Sequence, residues 1–280
     1  MVSNESIWLV TGCSTGFGRE IARALLARGY FVVVTARNPA TLDEFAGNEN
    51  ALVLALDVTV PRQIAEVVKQ VETRFGGVDV LVNNAGYGYL SAVEEGEDEE
   101  IRAMFETNVF GLANMTKAVL PGMRKRGGGH VVNISSMGGL IGFPGIGYYN
   151  ATKFAVEGLS EALAKEASHL GIKVTVVEPG PFRTEWAGRS LKTPKSAIAD
   201  YAQSAGARRA AIQGYSGTQP GDPARAAEAI ILAVESPEPP LHLILGRPAY
   251  ETVESKFKEF SAEMEKWRDL SLGADFTDLG

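Results

Sequence analysis

Ile7-Trp8-Leu9-Val10-Thr11-Gly12-Cys13-Ser14-Thr15-Gly16-Phe17-Gly18 is a short apolar run that breaks into a glycine-rich turn, and the amphipathic stretch Arg19–Arg28 follows at once. A strand that feeds a helix through such a turn presents free backbone N–H groups and a positive dipole end where a dinucleotide pyrophosphate would sit. The spacing is Gly-x-x-x-Gly-x-Gly, not the usual Gly-x-Gly-x-x-Gly. Nor is it a phosphate loop ending in Lys and Ser or Thr, because Arg19 stands after the last glycine. A glycine turn alone could merely reverse the chain. Its place after the first strand of an alternating chain favours a nucleotide, held by Gly12, Ser14, Thr15, Gly16, Phe17 and Gly18.

Working outward, seven apolar runs recur: Ile7–Thr11, Phe31–Thr35, Leu52–Leu56, Val78–Val82, His130–Ser135, Lys173–Val177 and Leu241–Leu245. Between them lie stretches with helical apolar spacing, including Arg62–Arg74, Glu99–Met123, Lys153–His169 and Pro223–Glu235. This alternation predicts an α/β fold: a single doubly wound Rossmann-type domain, a seven-stranded parallel sheet with helices on both faces. The long connection Arg183–Gly221 reads as a lid or binding loop with short helices. Residues 1–246 are expected to form the dinucleotide-binding and catalytic domain, with 183–221 as its substrate loop, and 247–280 a C-terminal helical tail. In the tail, Tyr250, Val253, Phe257, Phe260, Met264 and Trp267 fall on one helical stripe, which either packs on the chain's own body or meets another subunit.

Composition excludes several classes. With 27 Lys plus Arg against 34 Asp plus Glu, no broad basic face offers itself to nucleic acid. A single Cys makes no internal disulfide, so a reducing, cytoplasmic compartment is expected. Cys13 itself reads as a small packed residue. No apolar run is long enough to cross a membrane, and Met1–Ser6 does not read as a signal peptide. His130, His169 and His242 are far apart in sequence, so no metal site is expected and each reads as a surface or interface residue.

The residue that would meet the adenosine ribose lies about 20 positions past the glycines. There Val34-Thr35-Ala36-Arg37-Asn38 offers no carboxylate and presents Arg37. A charge-assisted hydrogen bond to a 2′-phosphate is worth about 1.5–3 kcal/mol, which favours NADP(H) over NAD(H). Further on, Tyr149 and Lys153 stand at i and i+4 on one helix face. A cation about 4 Å from a phenolate at an effective dielectric of ~20 stabilises it by about 4 kcal/mol, so the spacing predicts a Tyr149 pKa lowered toward the working pH. Ser135 and Ser136 end the fifth strand, Asn83-Asn84-Ala85-Gly86 ends the fourth, and Asn108 lies in the helix between them. Ligands of open parallel sheets bind at the carboxyl ends of strands, so these groups are expected in one crevice.

In these motifs the chain resembles the classical short-chain dehydrogenase/reductase family. The likeness rests on Thr11–Gly18, Asp57, Asn83–Gly86, Asn108, Ser136, Tyr149, Lys153 and Pro179-Gly180, in order and with Ser136 thirteen residues before Tyr149. It implies that Tyr149 is the general acid or base, that Lys153 lowers its pKa and holds the nicotinamide ribose, that Ser136 binds the substrate oxygen, and that Asn108 holds a relaying water. It also implies that Asp57 and Val58 contact adenine and that Asn84, Ala85 and Gly86 line the cofactor. The loop with Pro179, Gly180, Phe182 and Thr184 would hold the nicotinamide end. The segment Ser135–Gly139 with Gly142-Phe143-Pro144 is similar to the hydroxysteroid and retinol dehydrogenase branch, which implies a bulky hydrophobic ketone or secondary alcohol. Tyr87, Leu140, Ile141, Phe143, Tyr148 and Trp186 are candidate pocket residues. A homodimer or homotetramer would be usual for the family. Two other classes also accommodate parts of the sequence: a non-catalytic NADP-binding redox sensor, and a methyltransferase, in which the Tyr–Lys pair would have no role.

Overall fold

The computed structural model describes residues 5–188 and 191–276. Residues 1–4 of the polar amino terminus, 189–190 of the expected lid and 277–280 of the tail lie outside the described residues.

In chain order the elements begin with strand β1 (Ile7–Val10), helix α1 (Gly16–Ala27), β2 (Phe31–Ala36), β3 (Ala51–Ala55), α2 (Pro61–Phe75), β4 (Val80–Asn83) and the two-residue β5 (Gly88–Tyr89). They continue with α3 (Asp98–Phe105), α4 (Leu112–Arg126), β6 (Gly129–Ile134), α5 (Gly147–Ala167), β7 (Ile172–Pro179) and the two-residue β8 (Leu191–Lys192). Last come α6 (Ala207–Gly214), α7 (Pro223–Glu235), β9 (His242–Leu245), α8 (Arg247–Lys266) and α9 (Arg268–Leu272). All seven expected strands form, in the parallel order β3-β2-β1-β4-β6-β7-β9.

Alternate residues of each strand point to opposite faces. Trp8 and Val10 join α1 and α7 in one core through Ile21, Leu25, Ile230 and Ile231. Leu9, Val33 and Leu81 join α2 and α4 in the other through Val67, Val71, Met115 and Met123. Burial on both sides explains why the strands read as unbroken apolar runs. Pro61 opens α2 and Gly76, at φ 83°, closes it; the Asp222 carboxylate accepts from Ala224 N at 2.9 Å to cap α7.

Two departures from the sequence reading matter, and one open choice is narrowed. The single helix expected over Glu99–Met123 is split by a π-helical turn, Glu106–Gly111, where Gly111 leaves room for Val58. The expected lid is tied down by a second, two-stranded parallel sheet, β5 with β8, that the sequence did not announce. Of the tail's apolar stripe, for which packing on the body and a subunit contact were both open, Val253 is buried among the described residues, while Tyr250, Phe257, Phe260, Met264 and Trp267 remain about half exposed or more.

The order of strands reverses between β1 and β4, since the chain leaves β1 toward β2 and β3 and then returns to lay down β4 on the other side. At that point the buried Thr11 hydroxyl accepts from Asn84 N at 2.9 Å and Ala85 N at 3.0 Å, and it donates to Val82 O at 3.3 Å. The Asn84 carboxamide donates back to Thr11 O at 2.9 Å and Gly12 O at 3.0 Å. Thr11→Val keeps the shape and leaves two N–H groups without their acceptor. At about 1–3 kcal/mol per orphaned group, denaturant unfolding should show a loss of about 2–6 kcal/mol.

Candidate active site

The crevice opens at this reversal, outside the carboxyl ends of β1 and β4, where ligands of open α/β sheets bind. On one side the glycine turn runs into α1, whose first turn has no side-chain cap and no acidic residue, so its positive end is left for an anion. Gly12 and Gly16 have φ of 70° and 58°, conformations that a side chain resists. A Cβ on Gly18 would lie 2.5 Å from both Asn84 Nδ2 and Gly12 O, so only glycine permits this closeness. Gly16 faces Thr184, and Phe17 meets Phe182 edge-on at 5.1 Å. The turn, β4's end and the loop after β7 thus form one cradle. Its free N–H groups and close backbone approach fit a dinucleotide.

Arg37 is exposed just past β2, and its charge reaches Tyr87 and Lys192. The Asp57 carboxylate accepts from Thr59 N and Oγ1 at 2.9 and 2.7 Å, which turns the chain after β3; Val58 beside it is buried. Gly86 lies against Asn108, a Cβ there falling 3.1 Å from Asn108 Oδ1. Gly180, just past Pro179, donates to Leu245 O at 2.9 Å, and Thr184 Oγ1 accepts from Trp186 N at 3.3 Å. Cys13 is buried, donates to Val10 O, and burial pushes its thiol up to about 12; it is a packed residue and not a nucleophile.

Tyr149 and Lys153 lie one turn apart on α5, both buried. The Lys153 ammonium donates to Ile134 O at 2.8 Å and stands 5.7 Å from the centre of the Tyr149 ring. The Ser136 hydroxyl accepts from Gly138 N at 3.0 Å and lies beside the Tyr149 ring, both side chains closing on the point where a Cβ of Gly138 would stand. Asn108 sits in the π-helical turn, fully buried. Its carboxamide donates to Tyr87 O at 2.9 Å and Thr152 Oγ1 at 3.2 Å, and it accepts from Tyr87 N at 3.1 Å. The wider π turn carries this side chain to both the β4 loop and α5. Over the group lies Trp186, 5.2 Å from the Tyr149 ring and part of an apolar cluster with Tyr87, Phe143 and Tyr148.

The expected lowering of the Tyr149 pKa is overturned. Burial pushes the phenol up to about 12, with the Ser136 hydroxyl only partly opposing it. The ammonium is anchored on Ile134 O, 5.7 Å from the ring centre, and desolvation governs the phenol. Burial brings Lys153 down to about 8 against the pull of Glu157. The histidine reading also changes. His130 is buried in the sheet, its Nε2 2.9 Å from Thr175 Oγ1, and burial lowers its pKa to about 4. His242 meets two carboxylates, Glu178 at 2.8 Å and Glu157 at 3.7 Å. Sequence reasoning missed this juxtaposition, which joins residues from three separate elements.

The sequence profile of the short chain dehydrogenase family matches residues 6–195. The chain is 40% identical over 271 residues to the oxidoreductase BOA17 of Botryotinia fuckeliana, covering 96% of this chain and 98% of that one. It is 40% identical over 192 residues to human retinol dehydrogenase 8, covering 65% and 61% of the two chains. A solved short-chain dehydrogenase from Streptomyces avermitilis superposes with a TM-score of 0.90 at 45% identity, over 96% of this chain and 100% of that one. The chain belongs to the short-chain dehydrogenase family and is an oxidoreductase of it; the likeness to retinol dehydrogenases expected from the segment after β6 is found.

The buried ammonium has a thermodynamic signature. Its folded pKa of about 8 lies below the free lysine value of 10.5, so the unfolded chain binds more protons between those values and this group's contribution to stability rises with pH there. Below about 8 both states carry the charge and the full desolvation cost stands. The stability difference between Lys153→Met and the parent should therefore shift toward the parent by about 3 kcal/mol from neutrality to above the free lysine value. Unfolding titrations at the two pH values measure it. A pH-independent difference would contradict a buried charge.

Proposed function

We propose that the protein is an NADP(H)-dependent oxidoreductase that interconverts a bulky hydrophobic ketone and its secondary alcohol. The observation that carries this reading is the meeting of Ser136, Tyr149 and Lys153 in a buried, lidded crevice beside an uncapped glycine-turn helix.

When bound, the dinucleotide supplies or accepts the hydride. Gly12, Ser14, Thr15, Gly16, Phe17 and Gly18 would hold its pyrophosphate end. Asp57 and Val58 would meet the adenine, and Asn84, Ala85 and Gly86 would line its middle. Pro179, Gly180, Phe182 and Thr184 would hold the nicotinamide end. Tyr149, kept protonated at neutrality by burial, gives its proton to the carbonyl oxygen in reduction and takes it back in oxidation. Ser136 hydrogen-bonds the same oxygen. Lys153 steadies the phenolate as it forms and grips the ribose. Asn108 clamps the β4 loop to α5 and holds the water that returns protons to Lys153.

The NADP preference is supported by Arg37. It stands exposed just past β2, where a carboxylate would repel a 2′-phosphate and a guanidinium would pair with one. The hydrophobic substrate is supported by the aromatic cluster of Tyr87, Phe143, Tyr148 and Trp186 against Tyr149. The reading includes a homodimer or homotetramer, supported by the exposed apolar side chains of α8, and a cytoplasmic setting, supported by the single, buried Cys13. Among the described residues no helix is long and apolar enough to cross a membrane.

In a panel of ketones and secondary alcohols followed by nicotinamide absorbance, Tyr149→Phe should lose nearly all turnover and keep cofactor affinity; wild-type rates would overturn the assignment. Dinucleotide binding by the parent protein with no turnover on any substrate would leave a redox-sensing module instead. Arg37→Ala should weaken NADPH by about 10- to 150-fold and leave NADH nearly unchanged. Equal effects on both cofactors would remove the phosphate contact.

A further inference from the structure

Where α5 crosses the sheet edge formed by β7 and β9, three side chains outside the proposed reaction converge. Val176 pairs with His242 and Glu178 with Ile244, so His242 and Glu178 lie two residues apart on the same face of adjacent strands. Glu157 comes down onto that face from α5, one turn beyond Lys153. His242 Nδ1 is 2.8 Å from Glu178 Oε1 and 3.7 Å from Glu157 Oε2, and one ligand atom from each residue lies within 4.8 Å of the others.

We propose that Glu157, Glu178 and His242 form a binding site for a transition-metal dication of the zinc class. Two buried carboxylates side by side are costly unless hydrogen-bonded, shared with protons or joined by a cation. Glu178 is 0% exposed, and its Oε2 has no hydrogen-bond partner among the described residues. Glu157 is 4% exposed, and its oxygens make no well-formed hydrogen bond. Gly139 approaches them too closely for any side chain, since a Cβ there would fall 2.6 Å from Ser135 Oγ and 2.8 Å from Glu157 Oε1.

Ligand type points to the class of ion. One imidazole with two carboxylates suits zinc and its neighbours better than magnesium or calcium, which favour oxygen ligands alone. Metal–ligand distances of about 2.0–2.2 Å place neighbouring ligands roughly 3–4 Å apart, so the 3.7 Å contact of His242 with Glu157 fits and the 2.8 Å contact with Glu178 must open slightly. The His242 side chain, 38% exposed at the edge strand, provides the entry path, and Glu161, 4.0 Å from its Nε2, adds negative charge at the mouth. Three protein ligands leave a coordination position for water.

Cobalt(II), as a visible-absorbing stand-in, and zinc, by calorimetry, are titrated into the full-length chain near neutral pH. One equivalent should bind, with a new visible band for cobalt. Outer-sphere changes alone typically weaken metal sites by about 10–100-fold, so His242→Ala and Glu178→Gln should each weaken binding by more than about 10-fold. No binding by the parent protein, or binding undiminished in both variants, overturns the proposal. His242 is half-exposed on an edge strand, so its variant carries the test if Glu178→Gln fails to fold.

Discussion

A hydroxyl and a carboxamide hold the working end of this protein together. Thr11 and Asn84 exchange hydrogen bonds with each other's backbone across the reversal between β1 and β4. The constraint is geometric, because the glycine turn approaches the β4 loop too closely for side chains at Gly12 or Gly18, and the brace satisfies the polar groups that this closeness buries. Everything that makes the crevice a receptor for a dinucleotide lies on one side or the other of that brace.

The proposed reacting pair, Tyr149 and Lys153, is governed by a second balance, between burial and charge. Trp186 lies against the Tyr149 ring, Tyr149 and Lys153 are both buried, and in a dry site desolvation moves each toward its neutral form. A neutral phenol is the state a proton donor needs. The lysine is the strained partner, because it must remain charged in surroundings that disfavour charge, with a backbone carbonyl and nearby Glu157 as its support.

Much of the fold was legible because parallel strands buried on both faces leave unbroken runs such as Val32–Val34 and Val80–Val82. Residues ending those strands were legible for the same reason, since topology sends them to one crevice. The rest has no period to read. A π-helical turn shares its apolar spacing with the helix around it, so the site that carries Asn108 to Tyr87 was hidden. β5 and β8 are two residues each, too short for alternation. The Tyr149 pKa was misjudged because an i, i+4 spacing fixes proximity but not where the ammonium is anchored. His242, Glu157 and Glu178 belong to three elements, and only the parallel register brings them together.

The tiny β5–β8 sheet has a consequence for how new specificities arise. It fastens the segment carrying Trp186 through few main-chain bonds, among them Leu90 N to Lys192 O at 2.8 Å, plus the Lys192 contacts with Glu100 and Tyr87. At about 0.5–1.5 kcal/mol net per hydrogen bond, such a clasp unfastens without disturbing the seven-stranded body. Selection can therefore redraw the covering segment, and with it the choice of molecule admitted, while the strand ends and α5 beneath are inherited untouched.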